Sequence, residues 1–244
     1  MTYEPPGFGS RQVPPLYGPA TAAEIDAGLR QYMVRVYNYM AGGLAISGLV
    51  AYLAVSTGFY QQIVGTPFIW IVMLAPLGMV LLLSFGINRI SIGTAFLAFW
   101  TFAALMGLSV AGIFLVYTGA SIARAFFISA ATFAAMSLYG YTTGRDLSRF
   151  GAFLFMGLIG IVIAGLVNIF VGSSTLQFAI SVIGVIVFTG LTAYDTQRIK
   201  QVYLASDPAE MTTKKAIIGA LALYLDFINL FIMLLQLTGQ RRDQ

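Results

Sequence analysis

Two aspartates stand where a carboxylate is least at home. Asp226 falls within "ALALYLDFINLFIML" and is the only charged side chain between Lys215 and Arg241, in a run able to form ~40 Å of helix. Asp195 follows another apolar stretch, in "TGLTAYDTQRIK". A carboxylate at the centre of a bilayer costs roughly 2.5–3.5 kcal/mol on insertion scales, so one that persists there is protonated, paired or facing water. If the two carboxyls meet they cannot both ionise cheaply; they share a proton and titrate as a pair, which makes a pH-sensitive latch. When both are ionised, repulsion favours separation or capture of a cation. A hard cation such as calcium takes roughly six to eight oxygens, so two carboxylates alone bind it weakly. Thr192, three residues before Asp195, and Asn229, three residues after Asp226 on the same helical face, are the side chains placed to supplement them. Weak, transient binding of this kind is what a permeation path requires. Arg89, in "SFGINRISIG", has two readings. It is a snorkelling, topology-setting arginine, or a counter-ion that holds Asp195 ionised and clamps the second span until protonation releases it.

The elements that must carry these residues follow from composition. Of 244 residues, 59% are hydrophobic and only 9% charged, with a mean hydropathy of +0.86, whereas soluble domains are about 25% charged. The chain reads as an all-α integral membrane protein with no room for a sizeable soluble domain. It has no cysteine and no histidine, which removes disulfides, thiolate chemistry, imidazole metal sites and a histidine base. Proton or cation chemistry is left to carboxylates, and no tightly bound cofactor is expected. The net charge of +4 is read as a topological signal of a chain in the bilayer rather than as a nucleic-acid surface.

Spanning helices need ~20 mostly apolar residues. Cutting the apolar runs at their polar and glycine-rich joints predicts seven spans, at 36–56, 67–87, 93–117, 123–142, 150–171, 175–194 and 216–237. The first 23 residues hold five of the eight prolines and read as a disordered tail rather than a signal peptide. The transmembrane domain is expected over residues 24–240, and 241–244 form a short basic tail. Thr21 is a candidate N-cap for a helix leading into the first span. Ten basic residues fall on one side (Arg11, Arg30, Arg35, Arg89, Arg145, Arg149, Arg198, Lys200, Lys214 and Lys215) and three on the other (Arg124, Arg241 and Arg242), which predicts a cytoplasmic N-terminus. With these boundaries Asp195 sits one residue past its span while Asp226 lies ~15 Å deep, a mismatch that a water-filled funnel would bridge. Small residues at four-residue spacing (Ala103, Gly107 and Ala111; Ala130 and Ala134; Gly160 and Ala164) predict close helix packing.

Three motifs taken together, "YGYTTGRDLS" (139–148), "LTAYDTQRIK" (191–200) and "LYLDFINLF" (223–231), resemble the Bax inhibitor-one, or transmembrane Bax-inhibitor-motif, family over about residues 25–240. The resemblance implies a seven-helix bundle whose last helix is central and wrapped by the other six. It implies a pH-dependent calcium leak, with Asp195 and Asp226 as a hydrogen-bonded pH-sensing pair, and it transfers the family's arginine latch to Arg89. Likeness to bacterial members implies the inner membrane and contact with a membrane-anchored ATP-dependent protease. The Pro-rich leader lies outside the family pattern.

Paired aspartates on neighbouring spans also suggest an intramembrane aspartyl protease, whose carboxylates activate water. Those enzymes carry "GxGD" at the second aspartate and use more spans; here Leu223 and Leu225 occupy the glycine places. A non-enzymatic protein is therefore expected. A non-conducting regulator that binds other membrane proteins is the remaining alternative.

Overall fold

The computed structural model describes residues 22–242. The Pro-rich leader and the cap read for Thr21 lie outside the described residues. Among those described, nine helices follow in order: α1 (Ala22–Ser56), α2 (Phe59–Val64), α3 (Phe68–Gly86), α4 (Ile92–Val110), α5 (Ile113–Val116), α6 (Gly119–Thr142), α7 (Ser148–Val171), α8 (Ser174–Gln201) and α9 (Ala209–Thr238). Seven segments are long and apolar enough to cross a membrane, α4 and α5 together making one. The expected all-α, seven-span architecture is the one observed.

The short helix α2 was not legible in the sequence, because "GFYQQIVGTP" reads as a polar joint. Gly58 enters it with φ 75°, a left-handed conformation that only glycine adopts freely. Other joints are set by side-chain caps. Thr118 accepts from the Ser121 N–H at 3.3 Å and starts α6 four residues earlier than expected. Gly172, at φ 64°, ends α7, and Ser173 opens α8 by accepting from the Leu176 N–H at 3.2 Å. Gly–Ser is thus the whole α7–α8 turn, a stop and a start signal in succession.

Helix α9 is the core of the bundle. Of its most apolar stretch 61% is buried, against 11% for α3 and for α7. It packs against α1, α4, α6 and α8 and lightly against α3, while α7 packs on α8 instead. The last helix is thus central as the resemblance implies, with one correction: α7 stands behind α8 rather than on α9. The outer faces of α3 and α7 carry Trp70, Phe85, Phe153 and Phe170, each more than half exposed, as lipid-facing side chains are.

Close approaches occur where glycine removes the side chain between two backbones. A Cβ on Gly107 would lie 2.4 Å from the Ser47 carbonyl oxygen (α4 on α1), and one on Gly140 would lie 2.2 Å from the Ala193 carbonyl oxygen (α6 on α8). Of the three predicted small-residue series, only Ala103, Gly107 and Ala111 is buried. Ala134 and Gly160 face outward, and Gly160 has open space beside it. Their spacing reported a small helix surface, not a contact.

Beyond α9 the chain is held at residues 240–242. Residues 240–242 lie antiparallel to 116–118: the Thr118 N–H donates to the Gln240 carbonyl at 3.1 Å and the Arg242 N–H to the Val116 carbonyl at 3.0 Å. This clasp fastens the end of α9 to the α5–α6 joint.

Candidate functional site

The site forms where the α8–α9 hairpin crosses the polar half of α8. Between Thr192 and Gln197, α8 turns a different polar side chain to each neighbour. Thr192 is fully buried and donates to its own helix at the Phe188 carbonyl, 2.8 Å away. Thr196 bonds to Ser137 of α6 at 2.9 Å, and Ser137 in turn to the hydroxyl of Tyr37 on α1. Gln197 holds the 143–147 loop from both sides, its amide donating to the Arg145 carbonyl at 2.8 Å and its oxygen accepting from the Leu147 N–H at 2.9 Å. Lys200 donates to the Tyr141 carbonyl at 2.9 Å. Two of the three motifs therefore meet as fasteners: "DTQRIK" bolts "YTTGRDLS" to α8. In that loop Asp146 accepts from the Ser148 N–H at 2.9 Å and so caps the turn into α7, which holds its exposed carboxyl below the usual range.

These bolts orient α8 so that Asp195 faces α9, where it lines one cleft with Asp226 and the two carboxyls act on each other. Asp226 is buried, 4% exposed, and its Oδ2 has no hydrogen-bond partner. The boundaries expected from the sequence were drawn at charges, and both ends move outward by the same seven residues, which leaves the offset between the two aspartates along the hairpin as it was. Helix α8 does not stop at Tyr194 but runs through Asp195 to Gln201, and α9 begins at Ala209, so both helices project past the apolar zone. Basic side chains suit the last turn of α8, where Arg198 and Lys200 face the negative end of the helix dipole. Across the turn, Lys215 donates to the Val202 carbonyl at 2.8 Å and pairs with Asp207 at 2.5 Å. That tie sets the register of the hairpin.

Two cavities meet at Asp195. A cleft of about 660 Å³ opens between α3 and α7 and is lined by Ser84, Tyr194, Asp195, Arg198, Asp226 and Asn229 among others. A second cavity, of about 310 Å³, lies toward the basic end of the bundle, and Asp195, Arg198 and Ala222 line both.

The remaining expected site residues divide. Asn229 borders the cleft, but its amide donates to the Leu225 carbonyl at 2.7 Å, which leaves its oxygen as the available ligand. Thr192 likewise keeps only lone pairs to offer. Arg89 is exposed beyond the end of α3 and makes no ion pair or side-chain hydrogen bond among the described residues. The base beside Asp195 is Arg198, whose charge acts on that carboxyl. Reading Arg198 only as a topological charge missed it, although its place three residues after Asp195 on a helix put both on one face. Among the described residues no three acidic side chains cluster, so the pair lacks the donors of a tight calcium site.

One prediction tests the bolts. Gln197→Ala is expected to lose about 1–3 kcal/mol of local stability from two hydrogen bonds. Trypsin should then cleave after Arg145 or Arg149 several-fold faster in membranes, with the bundle itself intact. An unchanged cleavage rate would mean that the loop is held by other contacts.

A bundle of seven apolar spans, the last of them its core, with two carboxyls in a cleft beside a second cavity, defines a polytopic membrane protein with an acidic centre. Residues 29–243 match the family described as Inhibitor of apoptosis-promoting Bax1, and the chain belongs to it. It is 48% identical over 220 residues to the inner membrane protein YbhL of Escherichia coli K12, covering 88% of this chain and 94% of that one. An uncharacterized protein of Rickettsia prowazekii is 50% identical over 219 residues (89% and 93% of the two chains). An uncharacterized membrane protein of Streptococcus pyogenes is 37% identical over 218 residues (88% and 95%).

Proposed function

We propose that the protein is a pH-dependent cation leak of the inner membrane, with calcium as a permeant ion and the N-terminus cytoplasmic. Asp195 and Asp226 form the gate. The observation that carries this reading is that the two carboxyls act on each other in one cleft, with Asp195 also on the wall of the second cavity. Two ionised carboxylates are acceptors only, so a hydrogen bond between them requires a shared proton, and a change in proton count alters both the charge and the closeness of the pair. Protonating Asp195 also removes the charge that attracts Arg198. A clamp by Arg89 requires the turn after α3 to swing toward Asp195. Helix α3 suits that motion, since it rests on α4 and meets α9 only lightly. Permeation needs no resident cofactor.

The test is calcium flux into proteoliposomes of purified protein, at pH 6 and at pH 8, for wild type and Asp226→Asn. The expected result is a flux that differs between the two pH values and that the substitution flattens. Absence of flux above empty vesicles at both values, with the protein folded and inserted, would favour a non-conducting regulator. Such a regulator would use the exposed apolar faces of α3 and α7 to contact other membrane proteins, a membrane-anchored ATP-dependent protease among them.

A further inference from the structure

The smaller cavity carries more than a path to Asp195. Its apolar walls come from α3, α8 and α9, and its polar lining consists of Tyr32, Asn88, Asp195, Arg198, Lys214 and Lys215. Two features of this lining have no use in the leak. Lys214 is a charged side chain only 10% exposed, and its partner Glu210, 2.9 Å away, is itself 59% exposed. A pair held at the rim in this way does little to offset burial of the ammonium. Tyr32 is 1% exposed and its hydroxyl has no hydrogen-bond partner. Its ring is fixed against Tyr203, with centroids 5.3 Å apart, so the phenol cannot swing out to find water. Buried phenols normally have an acceptor; this one shares the cavity lining with Arg198, Lys214 and Lys215.

Formal charges in and beside the cavity balance, Arg198, Lys214 and Lys215 against Asp195, Asp207 and Glu210, but its unused hydrogen-bond donors outnumber its acceptors. Asp207 is held by Lys215 and Glu210 by Lys214. Arg198 makes no salt bridge among the described residues, and Asp195 is turned to Asp226. The donors are a guanidinium fork, two ammoniums, a phenol and the Asn88 amide. That set exceeds what the two oxygens of a carboxylate can accept and matches a phosphate. We propose that this cavity binds a phosphate ester, with the phosphate held by Arg198, Lys214 and Lys215 and with the Tyr32 hydroxyl donating to it. The apolar walls and the volume leave room for the group esterified to the phosphate. A phospholipid headgroup and a soluble phosphate ester share this chemistry. For binding, the inference stands apart from the leak. Its consequence rests on that reading: a phosphate that engages Arg198 draws the base away from Asp195.

The experiment is native mass spectrometry of the full chain in detergent, titrated with phosphatidylglycerol, with phosphatidylcholine and with glycerol phosphate. Wild type is compared with Tyr32→Phe and Arg198→Gln. Tyr32→Phe removes an unpartnered hydroxyl and so keeps the fold. Expected is binding of phosphatidylglycerol above phosphatidylcholine, weakened about tenfold by either substitution, as loss of a charge-assisted hydrogen bond predicts. Glycerol phosphate binding with the same sensitivity would assign the site to a soluble ester. Binding of neither above the phosphatidylcholine level, or binding that both variants leave unchanged, would overturn the proposal. The readout is mass, not flux, so it stands or falls separately from the leak.

Discussion

Replacing Asp226 by leucine is expected to leave the bundle at least as stable as the wild type while abolishing any pH response of cation flux. The stability half follows from the environment. Asp226 is buried among Leu223, Phe227 and Leu230, and its Oδ2 lacks a donor. An unsatisfied buried polar group costs about 1–3 kcal/mol, and exchange of buried ionisable groups for apolar ones of similar volume is often neutral or stabilising. The Asp195 left behind borders both cavities and can be hydrated there. Thermal unfolding in detergent and flux in vesicles, on the same preparation, check the two halves. A variant that keeps its stability and loses its pH response would place Asp226 among residues retained at the expense of stability, as functional groups often are. A variant that unfolds would instead make the carboxyl pair a structural fastener.

Much of the frame was legible because lipid imposes a strong pattern: every spanning backbone must satisfy itself as helix, and seven apolar runs gave seven spans, the third made of α4 and α5. Helix ends were harder to read. The charges of Asp195, Arg198 and Lys214 marked the end of the apolar zone, yet the helices continue through them, because helix ends are set by residues such as Gly172, after α7, and Pro208, before α9, and not by a charge. The meeting of Asp195 with Asp226 was expected, but the path to it was not. It depends on Gln197, Lys200 and Lys215 gripping backbone carbonyls of the 139–147 and 202–208 segments, and such contacts leave no periodicity in a sequence. Arg89 and Arg198 show the same limit from another side. Arg89 read as a topological arginine or as a latch and Arg198 as a topological charge alone, and only the turn of α8 brings one of them beside a carboxyl.

Gly140→Val is expected to be among the most damaging single substitutions, because α6 meets α8 there backbone to backbone. The added Cβ would stand 2.2 Å from the Ala193 carbonyl oxygen and 2.9 Å from the carbonyl carbon. Neither neighbour is a side chain that can rotate away, so the helices must separate. Overpacking costs about 1–3 kcal/mol even where side chains give way, and a backbone clash places this site at the upper end or beyond. Separation also strains the Ser137–Thr196 bond one turn away and shifts the part of α8 that aims Asp195. Loss of folded yield, or a lowered unfolding temperature together with disturbed flux, is the expected outcome. Gly160→Ala is the matched control: nothing lies within 4 Å of its Cβ, so helix propensity alone predicts a neutral effect or a gain of ~0.5–1 kcal/mol. If both variants were tolerated equally, the α6–α8 crossing would be looser than drawn, and the placement of Asp195 against Asp226 would need a different support.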